Sequence, residues 1–241
     1  FSDLEKISFK SLIQWDFNMD KESYEACIYT VTKEMLIEKI ISINYGSLSE
    51  EVINWRNEGG ISHVRRFLFP LINESIGDKD SFLINGLSWE ELFLDSFRKA
   101  IQFLKDKFGD SIFDWKWGAL HTTNHTHPLS SEFHEYSEIL NPKKVPASGD
   151  GDTPLAGSYD RNFKVSAASV NRYAHDINNW ENSKWIVPLG SSGNPGSKHY
   201  FDQLELWANG ETIPQLWNWK EIKNNSETLQ ILTSKKLSKF Q

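Results

Sequence analysis

Apolar side chains recur every three or four positions through roughly the first 110 residues, then give way to short apolar runs broken by Gly, Pro and Asp. From Asp20 to about Ile43 the repeat runs through Tyr24, Cys27, Ile28, Val31, Met35, Leu36 and Ile40, the spacing of an amphipathic helix with one buried face. A second helix is predicted over His63–Ile76, with Pro70 kinking or splitting it, because proline lacks the donor a helix interior needs. The best-marked helix follows Ser88. There Ser88 and Glu91 form an S-x-x-E capping box, Leu92, Phe93, Phe97, Ala100, Ile101 and Leu104 supply a buried face, and Gly109 can take a left-handed C-terminal conformation.

Beyond Gly109 the pattern changes. Trp115–Leu120 is short and aromatic, and His121–Pro146, with three prolines, predicts a loop crossing the surface. Ser148–Asp160 reads as turns. Phe163–Ile177 and Lys184–Leu189 are predicted as two strands, followed by a Gly/Ser/Pro-rich loop at Gly190–Ser197. The fold class is therefore α+β: a mainly helical part over 1–110, strands and loops over 111–220, and a polar, frayed tail over 221–241.

Composition narrows the functional classes. The chain has 241 residues, 39% hydrophobic and 24% charged, a globular rather than a disordered composition. Its net charge of -7 offers no basic face for nucleic acid. No apolar run reaches the ~20 residues of a membrane span. A single cysteine, Cys27, excludes an internal disulfide and falls in a helical apolar pattern, so a buried core position is expected. Ten Trp and fifteen Phe imply large buried side chains, or a surface for aromatic or sugar ligands.

Candidate chemistry is sparse. His121, His125, His127 and His134 lie close together, but their spacing matches no zinc pattern and His127-Pro128 argues against a helix that would gather them. No metal site is expected, and His121 and His127 are expected to make structural hydrogen bonds. Gly149-Asp150-Gly151-Asp152-Thr153 lacks the acidic positions of a calcium hand and is expected to be a turn whose Asp side chains bond their own backbone. Gly190-Ser191-Ser192-Gly193 is neither a phosphate loop nor a nucleophile elbow.

The order of short motifs adds more. Trp15-Asp16 with Met19-Asp20 and Ser23, then Trp117-Gly118-x-x-His121, His127-Pro128-Leu129, Gly149–Thr153, Ser169–Ile177 with Arg172 and Asp176, Leu189–Pro195, and His199-Tyr200-x-Asp202-Gln203-x-x-x-Trp207-x-x-Gly210 follow one another. This order resembles the penicillin acylase (penicillin amidase) family of N-terminal-nucleophile hydrolases, in the C-terminal part of its β chain. Phe17, His175 and Ser191 depart from the family's usual Gly, Val and Gln.

The resemblance implies a precursor that cuts itself into α and β chains, and an αββα sandwich of two sheets between helical layers. It implies a new N-terminal Ser that attacks the carbonyl of a small acyl-amide substrate, its own amine serving as base. The matched motifs lie downstream of that nucleophile. Phe1 has no hydroxyl, and Ser2 is not in the family's β-start context. No nucleophile is therefore assigned here, and the chain alone is expected to be inactive. Its partners would be the α chain and the N-terminal part of the β chain, with structural calcium, where present, elsewhere in the full protein. The resemblance also implies a periplasmic or secreted location.

Supporting site candidates are Asp176, Arg172 and His121, each with a plainer alternative: an Asp176–Arg172 ion pair, and a buried hydrogen-bonding His121. The competing function classes are an aromatic-rich binding module for sugars or other ligands, and a His-based metal hydrolase.

Overall fold

The computed structural model describes residues 1–54 and 59–232. Helix α1 (Asp3–Gln14) begins with a capping box in which Ser2 and Glu5 satisfy each other's backbone donors. Its Ile7, Phe9 and Ile13 are exposed, so it lacks the continuous buried stripe that marks the later helices. Helix α2 (Tyr24–Tyr45) starts where the Ser23 hydroxyl accepts the Ala26 N–H.

Helix α2 corrects the expectation of one buried face. It is covered on nearly every side, and even Lys33 and Glu34 in its middle are buried. The reason is its place as the axis of the helical part. Helices α1, α3 (Ser49–Asn54), α4 (Gly59–Ser75) and α5 (Trp89–Phe108) all pack against it. Its N-terminal half puts Ala26, Cys27, Ile28 and Val31 against Phe97, Ala100, Ile101 and Leu104 of α5. Its C-terminal half puts Leu36, Ile37, Ile40 and Ile41 against Ile53, Ile72, Trp89 and Leu92. Each fully buried Leu or Ile contributes about 1.5–3 kcal/mol.

The Ser88–Glu91 capping box forms as expected, and Gly109 closes α5 at φ 89, although its ψ of -173 is extended rather than left-handed helical. Helix α4 runs through Pro70 unbroken. Cys27 is fully buried, and burial pushes its thiol pKa well above the ordinary range.

After α5 the chain makes the single-turn helix α6 (Trp117–Leu120) and crosses back through the short α7 (Ser137–Leu140). The expected surface loop over His121–Pro146 is anchored at both ends by a bridge between Thr122 and Pro146. Strands β1 (Gly157–Tyr159) and β2 (Val165–Ala168) form an antiparallel pair. Strands β3 (Arg172–Ala174), β4 (Lys184–Ile186) and β5 (Ile213–Pro214) form a three-stranded antiparallel sheet, with Tyr173 opposite Trp185 and Trp185 opposite Ile213.

The single strand expected over Phe163–Ile177 is thus two strands in different sheets. The break falls at Ser169–Asn171. There the Ser169 carbonyl accepts the indole N–H of Trp207 and the Ser169 hydroxyl accepts the Arg172 Nε–H, so these groups leave the strand ladder. Helix α8 (Leu204–Ala208) carries Trp207 into a small core with Val145 and Ile186. The polar tail begins inside a helix, α9 (Trp219–Asn224), capped by Asn218, and its residues 233–241 lie outside the described part.

Candidate functional site

Three of the ordered motifs meet in one hub. The Trp117 N–H donates to the Ser23 carbonyl over 3.0 Å, and the Gly118 N–H to the Lys21 carbonyl over 2.7 Å. The Trp117 indole donates to the Gly149 carbonyl over 2.9 Å, and the Gly149 N–H returns to the Met19 carbonyl over 2.7 Å. Gly118 must be glycine here, because a Cβ would lie 2.8 Å from the side chains of both Lys21 and Pro146. Residues 19–23, 117–121 and 149–157 are therefore locked together by backbone bonds that no single segment could make alone.

The Gly149–Thr153 turn has the form the sequence predicted. The Asp150 carboxylate accepts the Asp152 N–H over 2.9 Å, and the Thr153 hydroxyl accepts the Asp150 N–H over 2.9 Å. Asp150 is itself buried, and its other oxygen faces the buried Lys33 ammonium at 3.7 Å. Its oxygens are thus already engaged by a backbone donor and a cation. The donor set of this turn does not suit a hard cation, which needs six or more converging oxygens.

Beside that pair lies a second buried ion pair that sequence reasoning missed. Glu34 accepts from Arg65 Nε and from the Tyr159 hydroxyl, at 2.7 and 2.8 Å. Arg65 also donates to the Tyr159 carbonyl over 3.0 Å, and its guanidinium lies over the Tyr159 ring at 4.7 Å. Burial, reinforced by Glu34, pushes the Tyr159 phenol well above its usual pKa. A signal existed: Lys33-Glu34 interrupts the apolar stretch between Val31 and Leu36. Their partners, more than 30 residues away in Arg65 and more than 100 away in Asp150 and Tyr159, left no local trace.

His121 sits in this hub, fully buried. Its ring stacks on Trp117 at 4.5 Å, and its Nδ1 lies 3.0 Å from the Phe163 carbonyl. A carbonyl oxygen only accepts, so Nδ1 carries the proton and Nε2 is a bare lone pair. That lone pair has no partner. Burial lowers the His121 pKa to about 4, so the ring is neutral at pH 7. It is a buried, hydrogen-bonded histidine. His127 is likewise structural, its Nδ1 accepting the Leu129 N–H over 3.1 Å.

Arg172 and Asp176 do not form the ion pair considered from the sequence. Arg172 donates to the Trp207 carbonyl over 2.6 Å and lies over the Trp207 ring at 4.4 Å. Burial lowers its pKa. Asp176 lies beyond β3, half-buried, and its carboxylate accepts from the Asn182 amide and the Asn178 and Asn179 N–H groups. These bonds, the Asn182 one first, hold its carboxyl below the usual range. It closes the turn leading to β4.

The remaining motifs make a second lock. The Gln203 side chain accepts the Val187 N–H, and the Gln203 N–H donates to the Leu189 carbonyl over 2.8 Å. The Ser192 N–H donates to the His199 carbonyl over 3.0 Å. His199 Nδ1 meets Asp202 at 2.6 Å, its Nε2 faces Glu227 at 3.5 Å, and the Asp202 bond raises its pKa. Among the described residues no Ser or Thr hydroxyl hydrogen-bonds a histidine ring, and no three His, Cys, Asp or Glu side chains gather around a metal position. No helix among them is long and apolar enough to cross a membrane.

A family model described as Penicillin amidase matches residues 2–224, and the chain belongs to that family. It is 29% identical over 235 residues to the penicillin acylase 2 proenzyme of Pseudomonas sp. (strain SE83), covering 92% of this chain and 28% of that protein. It is 26% identical over 132 residues to the acyl-homoserine lactone acylase QuiP of Pseudomonas aeruginosa, covering 49% of this chain and 16% of that protein. The chain therefore spans less than a third of the length of these relatives. A solved thermostable penicillin G acylase from Alcaligenes faecalis aligns with 97% of this chain and 43% of its own, at 15% identity and a TM-score of 0.48.

Proposed function

We propose that this chain is the C-terminal part of the β chain of a self-processing acylase that hydrolyses an acyl-amide bond. The observation that carries the reading is the family match over residues 2–224. The nucleophile is a β-chain N-terminal Ser supplied by sequence outside this chain. The separate, structural settings of His121, Arg172 and Asp176 support this assignment. The α chain and the N-terminal part of the β chain are its partners, and together they complete the stacked αββα sandwich. Structural calcium, where the full protein holds it, lies elsewhere, and the location is periplasmic or secreted. In this reading the hub and the Gly190–Ser197 lock hold a rigid frame for an active site built from other segments.

The test is expression of the intact precursor and of this chain alone, each assayed on a series of chromogenic anilides of increasing acyl length. The precursor product is expected to hydrolyse at least one anilide and this chain none. Processed, folded precursor with no activity at any acyl length would overturn the enzyme reading.

A binding-module reading rests on one feature. Tyr173, His175, Trp180 and Trp217 form a partly exposed ring cluster on β3 and its neighbouring turns, with Trp180 and Trp217 4.8 Å apart. Aromatic faces of this kind stack on sugars or aromatic ligands. Saturable tryptophan fluorescence quenching by an oligosaccharide, lost in Trp180→Ala, would favour it over the acylase reading.

A further inference from the structure

A cavity of about 250 Å³ opens between α2, α4, α5 and the 161–164 turn. Its apolar lining is Met35, Phe103, Leu120 and Phe163. Its charged lining is Arg65, Lys107, Arg161 and Lys164 with Glu34 and Glu38. Two of the four cations are already matched: Arg65 by Glu34 at 2.7 Å, and Arg161 by Glu38 and Glu50 at 3.7 and 3.9 Å.

The other two have no carboxylate within ion-pair distance among the described residues. Lys107 lies over the rings of Phe103 and Phe108 at 5.8 and 5.9 Å. Lys164 donates one bond, to the Leu120 carbonyl at 2.7 Å, which leaves two of its three N–H donors free. Lys164 is partly buried, and its pKa is lowered by that burial first and then by Lys144 and Lys107, with Asp160 opposing. Lys164, half-buried, and Lys107, exposed, line the same cleft, and two cations at one cleft repel one another and favour an anion between them.

We propose that this cavity binds a small carboxylate with an apolar body, its carboxylate held by Lys107 and Lys164 and its chain against Met35, Phe103 and Phe163. The volume sets the size. It equals roughly eight waters and lies below the range for drug-sized ligands. A tetrahedral oxyanion such as phosphate satisfies the lysines but wastes the apolar lining. An uncharged acyl chain satisfies that lining but leaves the lysines unpaired. The proposal stands apart from amide hydrolysis, because the charged side chains that line the cavity belong to none of the motifs that define the family.

The test is titration calorimetry on the intact protein with hexanoate, hexanamide and inorganic phosphate as probes. Saturable one-to-one binding of hexanoate is expected, with no binding of hexanamide and weaker binding of phosphate. Lys107→Met and Lys164→Met, which keep the apolar stems, should each weaken hexanoate by about ten-fold. Lys198→Met, outside the cavity, should leave it unchanged. If Lys164→Met fails to fold, Lys107→Met decides alone, since its side chain is exposed. No saturable hexanoate binding, equal binding of hexanamide, tighter binding of phosphate, or indifference to Lys107→Met would each overturn the proposal.

Discussion

The Nδ1–H of His121 donates to the Phe163 carbonyl over 3.0 Å and so joins the end of α6 to the turn before β2. The opposite nitrogen faces Gly157, where an added Cβ would lie only 3.2 Å away. A ring held this way stays neutral, and its neutrality makes stability depend on pH.

With the His121 pKa at about 4 in the fold, the unfolded chain takes up a proton below pH ~6.5 that the folded chain refuses. Stability should therefore fall as pH drops from about 6.5 to about 4, by up to about 3 kcal/mol. His199 works in the opposite sense. Its pKa is raised, chiefly by Asp202, so its contribution is present at low pH and is lost as pH rises through the folded value. Urea midpoints across pH 4–8 should show the acid-side loss in the wild type, and His121→Gln should flatten it. Proton NMR should place the two histidine midpoints on opposite sides of about 6.5.

Glu34 is the shared acceptor of Arg65 and Tyr159, and Arg65 and Glu34 are both largely removed from water. Glu34→Ala should cost about 3–5 kcal/mol, because it leaves a buried guanidinium without its counter-charge. The Glu34→Leu/Arg65→Met double variant should cost less than either single change. A single-variant loss under about 1 kcal/mol in urea unfolding would show that the pair contributes little.

Gly190 and Gly193 sit three residues apart in one loop but should respond differently. A Cβ on Gly190 would overlap the His199 carbonyl and approach Asp202 Oδ1 to 2.7 Å, whereas a Cβ on Gly193 meets nothing within 4 Å. Gly190→Ala should lower the thermal midpoint by several degrees or more. Gly193→Ala should leave it nearly unchanged. Equal effects would mean that the loop does not hold its place against His199.

Asp176 caps its turn through three accepted hydrogen bonds. Asp176→Ala in the intact protein should speed amide exchange at Asn178 and Asn179 while leaving the kcat of the proposed amide hydrolysis within about two-fold. A collapse of kcat with unchanged exchange would return Asp176 to the list of catalytic groups.

Local features were legible in the sequence wherever the controlling partners lie within one turn. The Ser88–Glu91 box and the Asp150–Thr153 turn each depend on residues two or three apart, and both form as read. The Ser2–Glu5 box was equally local, but α1 buries too little for apolar periodicity to mark it. The all-round burial of α2 and the partners of Lys33 and Glu34 were hidden, because they come from segments far along the chain. The break between β2 and β3 was hidden for the same reason: Trp207 supplies the donor that takes up the Ser169 carbonyl.

The sequence by itself determined the start of α5 at Ser88, the turn at Gly149–Thr153 and, through the order of its motifs, the family. Short-range hydrogen bonding and residue type are written in neighbouring letters. The tertiary structure alone decided which of those motifs hydrogen-bond to one another. It buried Lys33, Glu34, Asp150 and His121 together and kept Arg172 apart from Asp176. A buried charge persists only where distant segments bring its partner, and that meeting is a property of the packed chain.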